Sequence, residues 1–352
     1  MGFENYELWD THTSIGVFQE TEPPSNYWLD LLFPNEILST DEYIDFEKIP
    51  STGRKLAPFV APMAQGRPIY EEGGKLQRFK PAYIKPSDPV TPNRVIKRRP
   101  GSLLGPNSVT PRQRYEAIKM DILSYHRTAI ERRWEWLAAK AAIDGKVEVS
   151  GEDYPSQLVD FGRDPGHTIV LTPGTYWGDA GVSIKQLLSR WSNMMHRAEF
   201  GGRPNRLTVG VDVWAIMEIE AEPGGELHNL LKTDVRGSTT DLKRDQIGTD
   251  EVTFVGRIGT LDVYVYNDYY TEGGQVRPFM SPKDIVLSGP AVQGYRCYGM
   301  IQDANAGFEA LPIFPRNYMT QGDVSIEQMV TQSAPLMVPV QPNATLKATV
   351  VG

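Results

Sequence analysis

Apolar residues recur at spacings of three, four and eight from Tyr115 through Ile118, Ile122, Ile130, Trp134 and Leu137 to Ala141. That is the period of one face of a helix. Thr110-Pro-Arg-Gln113 in front of it is a capping box with Pro at the first helical position, and Gly145 is a stop signal behind it. The pattern predicts an uninterrupted helix over 111–144, about 50 Å long at about 1.5 Å per residue, able to serve as the spine of a flat domain. Arg112, Arg114, Lys119, Arg127, Arg132, Arg133 and Lys140 alternate with Glu116, Asp121, Glu131 and Glu135, which is expected to form a solvated or contacting outer side.

After Gly145 the period changes to two, in 146–149 and 168–172, which predicts strands. A second unit then begins. Ile184, Leu187, Leu188, Trp191 and Met195 give 183–196 an amphipathic helical pattern, and 206–213 reads as a buried strand entering a helix at 214–219. Segments 253–255 and 261–266 make a hairpin around Gly256-Arg-Ile-Gly259, and 276–280 and 284–287 add strands. The class is α+β.

The first hundred residues lack both periods. Asn26-Tyr-Trp-Leu-Asp-Leu-Leu-Phe-Pro34 can form one short helix inside what otherwise reads as an arm. Trp28, Leu32 and Phe33 are too apolar to stay in water, so they lie either on a neighbouring molecule or on the arm's own domain. From 51 to 107 Pro and Gly are dense, and Glu71-Glu-Gly-Gly74 separates strand-like pieces at 59–61 and at Phe79, Ala82, Tyr83 and Ile84. Pro58, Pro62, Pro81, Pro86, Pro89 and Pro92 forbid a continuous ladder, which suits a two-stranded loop projecting from a domain and resting on another surface.

Charge sharpens this picture. The chain of 352 residues carries a net −8, which argues against a dedicated nucleic-acid binder. Residues 1–50 hold eleven acidic side chains against Lys48 alone, whereas Arg54, Lys55, Arg67, Lys75, Arg78, Lys80, Lys85, Arg94, Lys97, Arg98 and Arg99 dominate 54–99. Segments of opposite sign attract, within a chain or between copies. The candidates for contact between subunits are therefore Trp28, Leu32, Phe33, Arg54, Lys55, Lys75, Arg78, Lys80, Arg94, Lys97 and Arg98. The N-terminus lacks the basic and apolar regions of a secretory signal, and no apolar run is long enough to span a membrane.

Catalytic chemistry finds no foothold in the sequence. The five histidines are scattered, no HExxH or CxxC occurs, and no Gly pair is followed by Lys and Ser or Thr as a phosphate loop requires. Cys297 is the single cysteine, which excludes an intramolecular disulfide, and the simplest reading is a buried thiol. His126, at helical spacing from Ile118 and Ile122, is expected to be packed. Neither cofactor nor metal is expected, and the chain is read as a non-enzyme.

Specific resemblance lies in Tyr298-Gly-Met-Ile-Gln-Asp-Ala-Asn305, Pro315-Arg-Asn-Tyr318, Thr320-Gln-Gly-Asp323, Gln332-Ser-Ala-Pro-Leu-Met337, Val60-Ala-Pro-Met63 and Phe79-Lys-Pro-Ala-Tyr-Ile-Lys-Pro86. Together with the order of parts over nearly the whole chain, these resemble the major capsid proteins of lambda-like tailed phages. The resemblance implies the HK97-like capsid fold: an N-terminal arm (1–52), an extended loop (53–107), a peripheral domain with the spine helix (108–175), an axial domain (176–295) and a return segment (296–352). It further implies self-assembly as hexamers and pentamers into an icosahedral shell. Scaffold protein, portal, a trimeric decoration protein and packaged double-stranded DNA on the inner face would be its partners, with assembly in the host cytoplasm and residence in the virion. Two alternatives stay open: an encapsulin-like compartment shell, and an enzyme with scattered catalytic residues.

Overall fold

The helix spelled out by the apolar stripe exists with the ends its caps dictate. In a computed structural model that describes residues 8–9, 11–20, 24–48, 75–96, 110–151, 154–222, 225–228, 231–232, 248–249, 251–320 and 325–352, it runs Pro111–Asp144. The Thr110 hydroxyl accepts from Gln113 N while the Gln113 side chain accepts from Thr110 N. Its stop is conformational and steric at once. Gly145 takes φ +67°, and a Cβ there would lie 2.7 Å from Arg163 Nε.

In chain order the helices are α1 (Thr11–Glu20), α2 (Tyr27–Leu32), α3 (Pro92–Ile96), α4 (Pro111–Asp144), α5 (Ile184–Arg197) and α6 (Val211–Glu220). The strands before and just after α4 are β1 (Asn35–Leu38), β2 (Ile44–Lys48), β3 (Lys75–Phe79), β4 (Ser87–Val90), β5 (Lys146–Gly151), β6 (Tyr154–Asp160) and β7 (Thr168–Val170). The second unit contributes β8 (Arg206–Val209), β9 (Leu231–Lys232), β10 (Gly248–Thr249), β11 (Val252–Ile258), β12 (Leu261–Tyr266), β13 (Tyr269–Glu272), β14 (Gln275–Pro278) and β15 (Asp284–Ser288). The chain ends with β16 (Tyr295–Tyr298), β17 (Phe314–Thr320), β18 (Ile326–Gln332), β19 (Pro335–Val338) and β20 (Thr345–Thr349).

The largest sheet has the order β10-β11-β12-β8-β15-β20-β7, with β9 beside β11. Its central strands are apolar on both sides, and β15 is buried at every position, so helices or chain must cover both faces. Leu188, Trp191 and Met195 of α5 and Val213 and Met217 of α6 enter the core that contains Leu207, Ile285, Leu287 and Leu346. A second core gathers α2, the C-terminal half of α4, β16 and β19 around Trp28, Phe33, Trp134, Leu137, Cys297 and Leu336.

Several expectations need adjustment. The hairpin at 253–266 turns at Gly259-Thr260: β11 runs on through Gly256, where the register slips past Phe254 as a bulge. β13, not foreseen, pairs with β14 across Gly273 and Gly274, both at positive φ. β20 and β7 join the sheet of the second unit, so the core there crosses the boundaries expected at 175 and 295. The segments read as arm and as extended loop also share a ladder. β3 pairs with β2, from Ile44↔Phe79 to Lys48↔Lys75, inside the segment read as arm. The pieces at 59–61 and the Glu71-Glu-Gly-Gly74 turn lie outside the described residues. Pro89 occurs within β4 because β4 is the edge strand of the sheet β17-β18-β4, where a missing N–H can face outward.

Candidate assembly surface

A six-residue helix does not hold itself in water, and α2 is held from outside at both ends. Its N-cap, Asn26, makes no side-chain cap. Instead the carboxyl group of Glu135, from the C-terminal half of α4, accepts Trp28 N at 2.8 Å and Leu29 N at 2.9 Å, satisfying two orphan donors. At the other end Arg296 of β16 donates to Phe33 O at 2.7 Å, to Leu29 O at 3.3 Å and to Asp30 Oδ1 at 2.7 Å, while Gly294 N reaches Leu32 O at 2.8 Å. Between these clamps Trp28 and Phe33 are 0 % exposed. Burial pushes the Glu135 carboxyl up to about 8 against the pull of the two N–H donors, with Asp268 and Asp30 adding to the rise. Nearby, burial pushes the Cys297 thiol up to about 12, which leaves it inert as a nucleophile.

The N-terminal half of α4 carries a buried ionic knot. Lys119 Nζ and Glu327 Oε1 are 2.8 Å apart with both side chains 0 % exposed. Tyr115 Oη donates to Glu327 Oε2 at 2.7 Å, Asn317 Nδ2 to Oε1 at 2.6 Å, and the Trp9 ring covers the ammonium at 4.2 Å. The knot thus ties the residues before α1, α4, β17 and β18 together. Further along, His126 is packed as expected, its ring nitrogens 3.0 Å from Thr331 Oγ1 and 3.0 Å from Asp88 Oδ2. Lys119, Glu131 and Glu135, expected on an outer solvated side, are buried. α4 is sunk into the protein over much of its circumference, and Ala138, Ala139, Ala141 and Ala142 allow the close approach.

No cluster of His, Cys, Asp or Glu able to hold a metal occurs among the described residues. A groove of about 740 Å³ beside the C-terminal half of α4 mixes Lys85, Arg133, Lys140 and Arg277 with Asp144, Glu148 and Glu272 around Trp136 and Leu158. Arg133 and Arg277 pair there with Glu272 and Lys140 with Asp144, and these groups so serve structure.

Sequence similarity decides the class. Residues 11–350 match the family described as phage major capsid protein E. The chain belongs to that family. It is 29 % identical over 322 residues to the major capsid protein of Escherichia phage lambda, covering 90 % of this chain and 91 % of the relative. To the major capsid protein of Enterobacteria phage P21 it is 28 % identical over 346 residues, with 94 % and 96 % covered. Among solved structures, the putative capsid protein of a prophage of E. coli CFT073 superposes with a TM-score of 0.73 at 21 % identity, over 98 % of this chain and 100 % of the other. The fold is the α+β, HK97-like capsid fold.

Within this family member the residues expected at subunit contacts fall into four groups. Trp28, Leu32 and Phe33 lie in the chain's own core, because the clamp of Glu135 and Arg296 gives them an intramolecular seat. Arg78 and Lys80 are paired inside the chain: Arg78 Nε to Asp45 Oδ1 at 2.8 Å and Lys80 Nζ to Glu42 Oε1 at 2.9 Å, with Tyr43 near both cations. The guanidinium beside it holds the Asp45 carboxyl below its ordinary value. So part of the attraction between acidic arm and basic loop is spent across β2 and β3. Lys75 opposes Lys48 at the end of that ladder, and Arg94, exposed on α3, donates to Pro89 O at 3.4 Å. Arg54, Lys55, Lys97 and Arg98 lie outside the described residues. Glu135, Arg296 and the Lys119–Glu327 pair were not singled out by sequence, since each finds its partner more than 100 residues away.

Proposed function

We propose that copies of this chain gather as hexamers and pentamers and close into the icosahedral head of a tailed phage around double-stranded DNA, with no catalytic step and no cofactor of their own. The observation that carries this is the match to the capsid family from residue 11 to residue 350, which spans α1 to the final strand. A shell subunit gains stability by burying surface against identical neighbours, so extended parts that reach an adjacent copy add contact without enlarging the core. The basic segment 91–99 and what remains unpaired of the acidic arm would set register between copies. Scaffold protein, portal and a trimeric decoration protein are the expected partners. Assembly would take place in the host cytoplasm, and no helix among the described residues is long and apolar enough to cross a membrane. The net −8 suits an inner wall that holds packaged DNA loosely and without sequence preference.

Negative-stain electron microscopy of the chain expressed alone and with the product of the gene upstream tests the reading. Closed polyhedral shells, or sheets and tubes of hexamers, are the expected outcome. Uniform small particles under both conditions would overturn it.

A further inference from the structure

The second unit carries two charged surfaces of opposite sign that do not meet within the chain. α5 holds Lys185 and Arg190 and no acidic residue. Lys185 and Arg203 line a groove of about 400 Å³ between α5 and the β11–β12 turn, over an apolar floor of Leu188, Pro204, Ile258 and Leu261. Arg190 lines its continuation along α5, where the one carboxylate, Glu226, is engaged in capping the helix and accepts Ile184 N at 2.8 Å. α6 is the reverse case: it holds no basic residue, and its exposed side presents Asp212 and Glu218, with Glu222 just past the helix end. Val211, Ala215 and Ile219 run among these acids at helical spacing, all exposed, Ile219 by 66 %. Lys185, Arg190, Arg203, Asp212, Glu218 and Glu222 have no ion-pair partner among the described residues.

Scattered solvated charges call for no partner. Here they are sorted, one sign to each surface, and each surface also has an apolar part: a floor in the groove and a strip on α6. An exposed apolar strip rimmed by charge marks a contact site, and opposite signs select which surfaces meet. We propose that the α6 face of one copy seats in the α5 groove of the next, Ile219 over the apolar floor and the acids of α6 against Lys185, Arg190 and Arg203. The two surfaces are different patches of the chain, so the contact runs head to tail. Each bound copy still offers a free α6 face on one side and a free groove on the other, and the contact propagates until it closes as a ring. This rests on the reading of the chain as a shell subunit and adds to it which surfaces of the second unit join copies within a hexamer or pentamer.

Charge reversal in the full-length chain, expressed with the product of the gene upstream and read by electron microscopy, tests the contact. Lys185→Glu, Arg190→Glu and Arg203→Glu together are expected to abolish shells, and so are Asp212→Lys, Glu218→Lys and Glu222→Lys together. One chain carrying both sets has its complementarity restored, and shells are expected to return. Should circular dichroism show that a threefold reversal misfolds, Arg190→Glu and Glu218→Arg, singly and combined, carry the same comparison with a reduced yield in place of a complete loss. Normal assembly of either reversed chain, or no recovery when the two sets are combined, would overturn the contact while shells from the unsubstituted chain leave the shell reading standing. Absence of shells from the unsubstituted chain would overturn both.

Discussion

Lys119 and Glu327 show what one buried pair does when neither partner has access to water. Burial pulls the ammonium's pKa below its ordinary value and Glu327 pushes it back, so the pairing makes it easier to hold each charge in the core. Lys119→Met leaves a carboxylate uncompensated in the core, and a loss of about 3–5 kcal/mol in unfolding free energy is expected by chemical denaturation. Adding Glu327→Gln to Lys119→Met should recover part of that loss, because residues in one network do not add. Equal and additive costs for the two substitutions would show that the pair is not coupled. Neither residue stands out in the sequence, since a lysine among helix charges and a glutamate in an alternating strand both read as surface.

At the scale of elements, α2 and α4 share an unequal partnership. α4 is specified locally, by its stripe, its capping box and the left-handed Gly145, and would be recognised in any context. α2 is too short to persist alone and exists because α4 and β16 supply the caps it lacks. Trp28 is fully buried and contacts the Tyr266 ring edge-on, with centroids 5.6 Å apart. Trp28→Ala is therefore expected to cost about 3–5 kcal/mol and to raise hydrogen exchange over Tyr27–Leu32 more than in the large sheet. Uniform destabilisation without local loss of protection would mean that α2 is not a separate unit. β2 and β3 make the complementary case. The sequence revealed the opposite charges on the two segments, but not that Asp45 and Arg78 face each other across one ladder.

For the whole molecule, the question is how much of the charge division is left for contacts between copies. Pairs inside the chain account for Asp45, Glu42, Arg78 and Lys80. Arg94, Lys97 and Arg98 carry the basic share proposed to meet a neighbour. Replacing all three by Glu is expected to reduce shell yield at low ionic strength, with the circular dichroism and unfolding midpoint of the single chain checking that its fold is kept. Assembly that proceeds as before would remove this segment from the proposed contacts. Particle counts by electron microscopy and light scattering provide the measurement.

The sequence by itself determined the α+β class, the spine helix and its caps, α5, most strands of the second unit, the buried Cys297 and His126, and through idiosyncratic loop motifs the family. These are encoded within short windows, by period, by cap chemistry or by residue identity. Tertiary structure alone decided that Trp28, Leu32 and Phe33 seat on their own chain, that β20 and β7 complete the large sheet, that β2 pairs with β3 from Ile44 to Phe79, and that Glu135 and Lys119 are core residues. In each case the energy comes from a partner far along the chain. A carboxylate's place in the core is fixed by the two N–H groups of a helix more than a hundred positions away, and no local period records that distance.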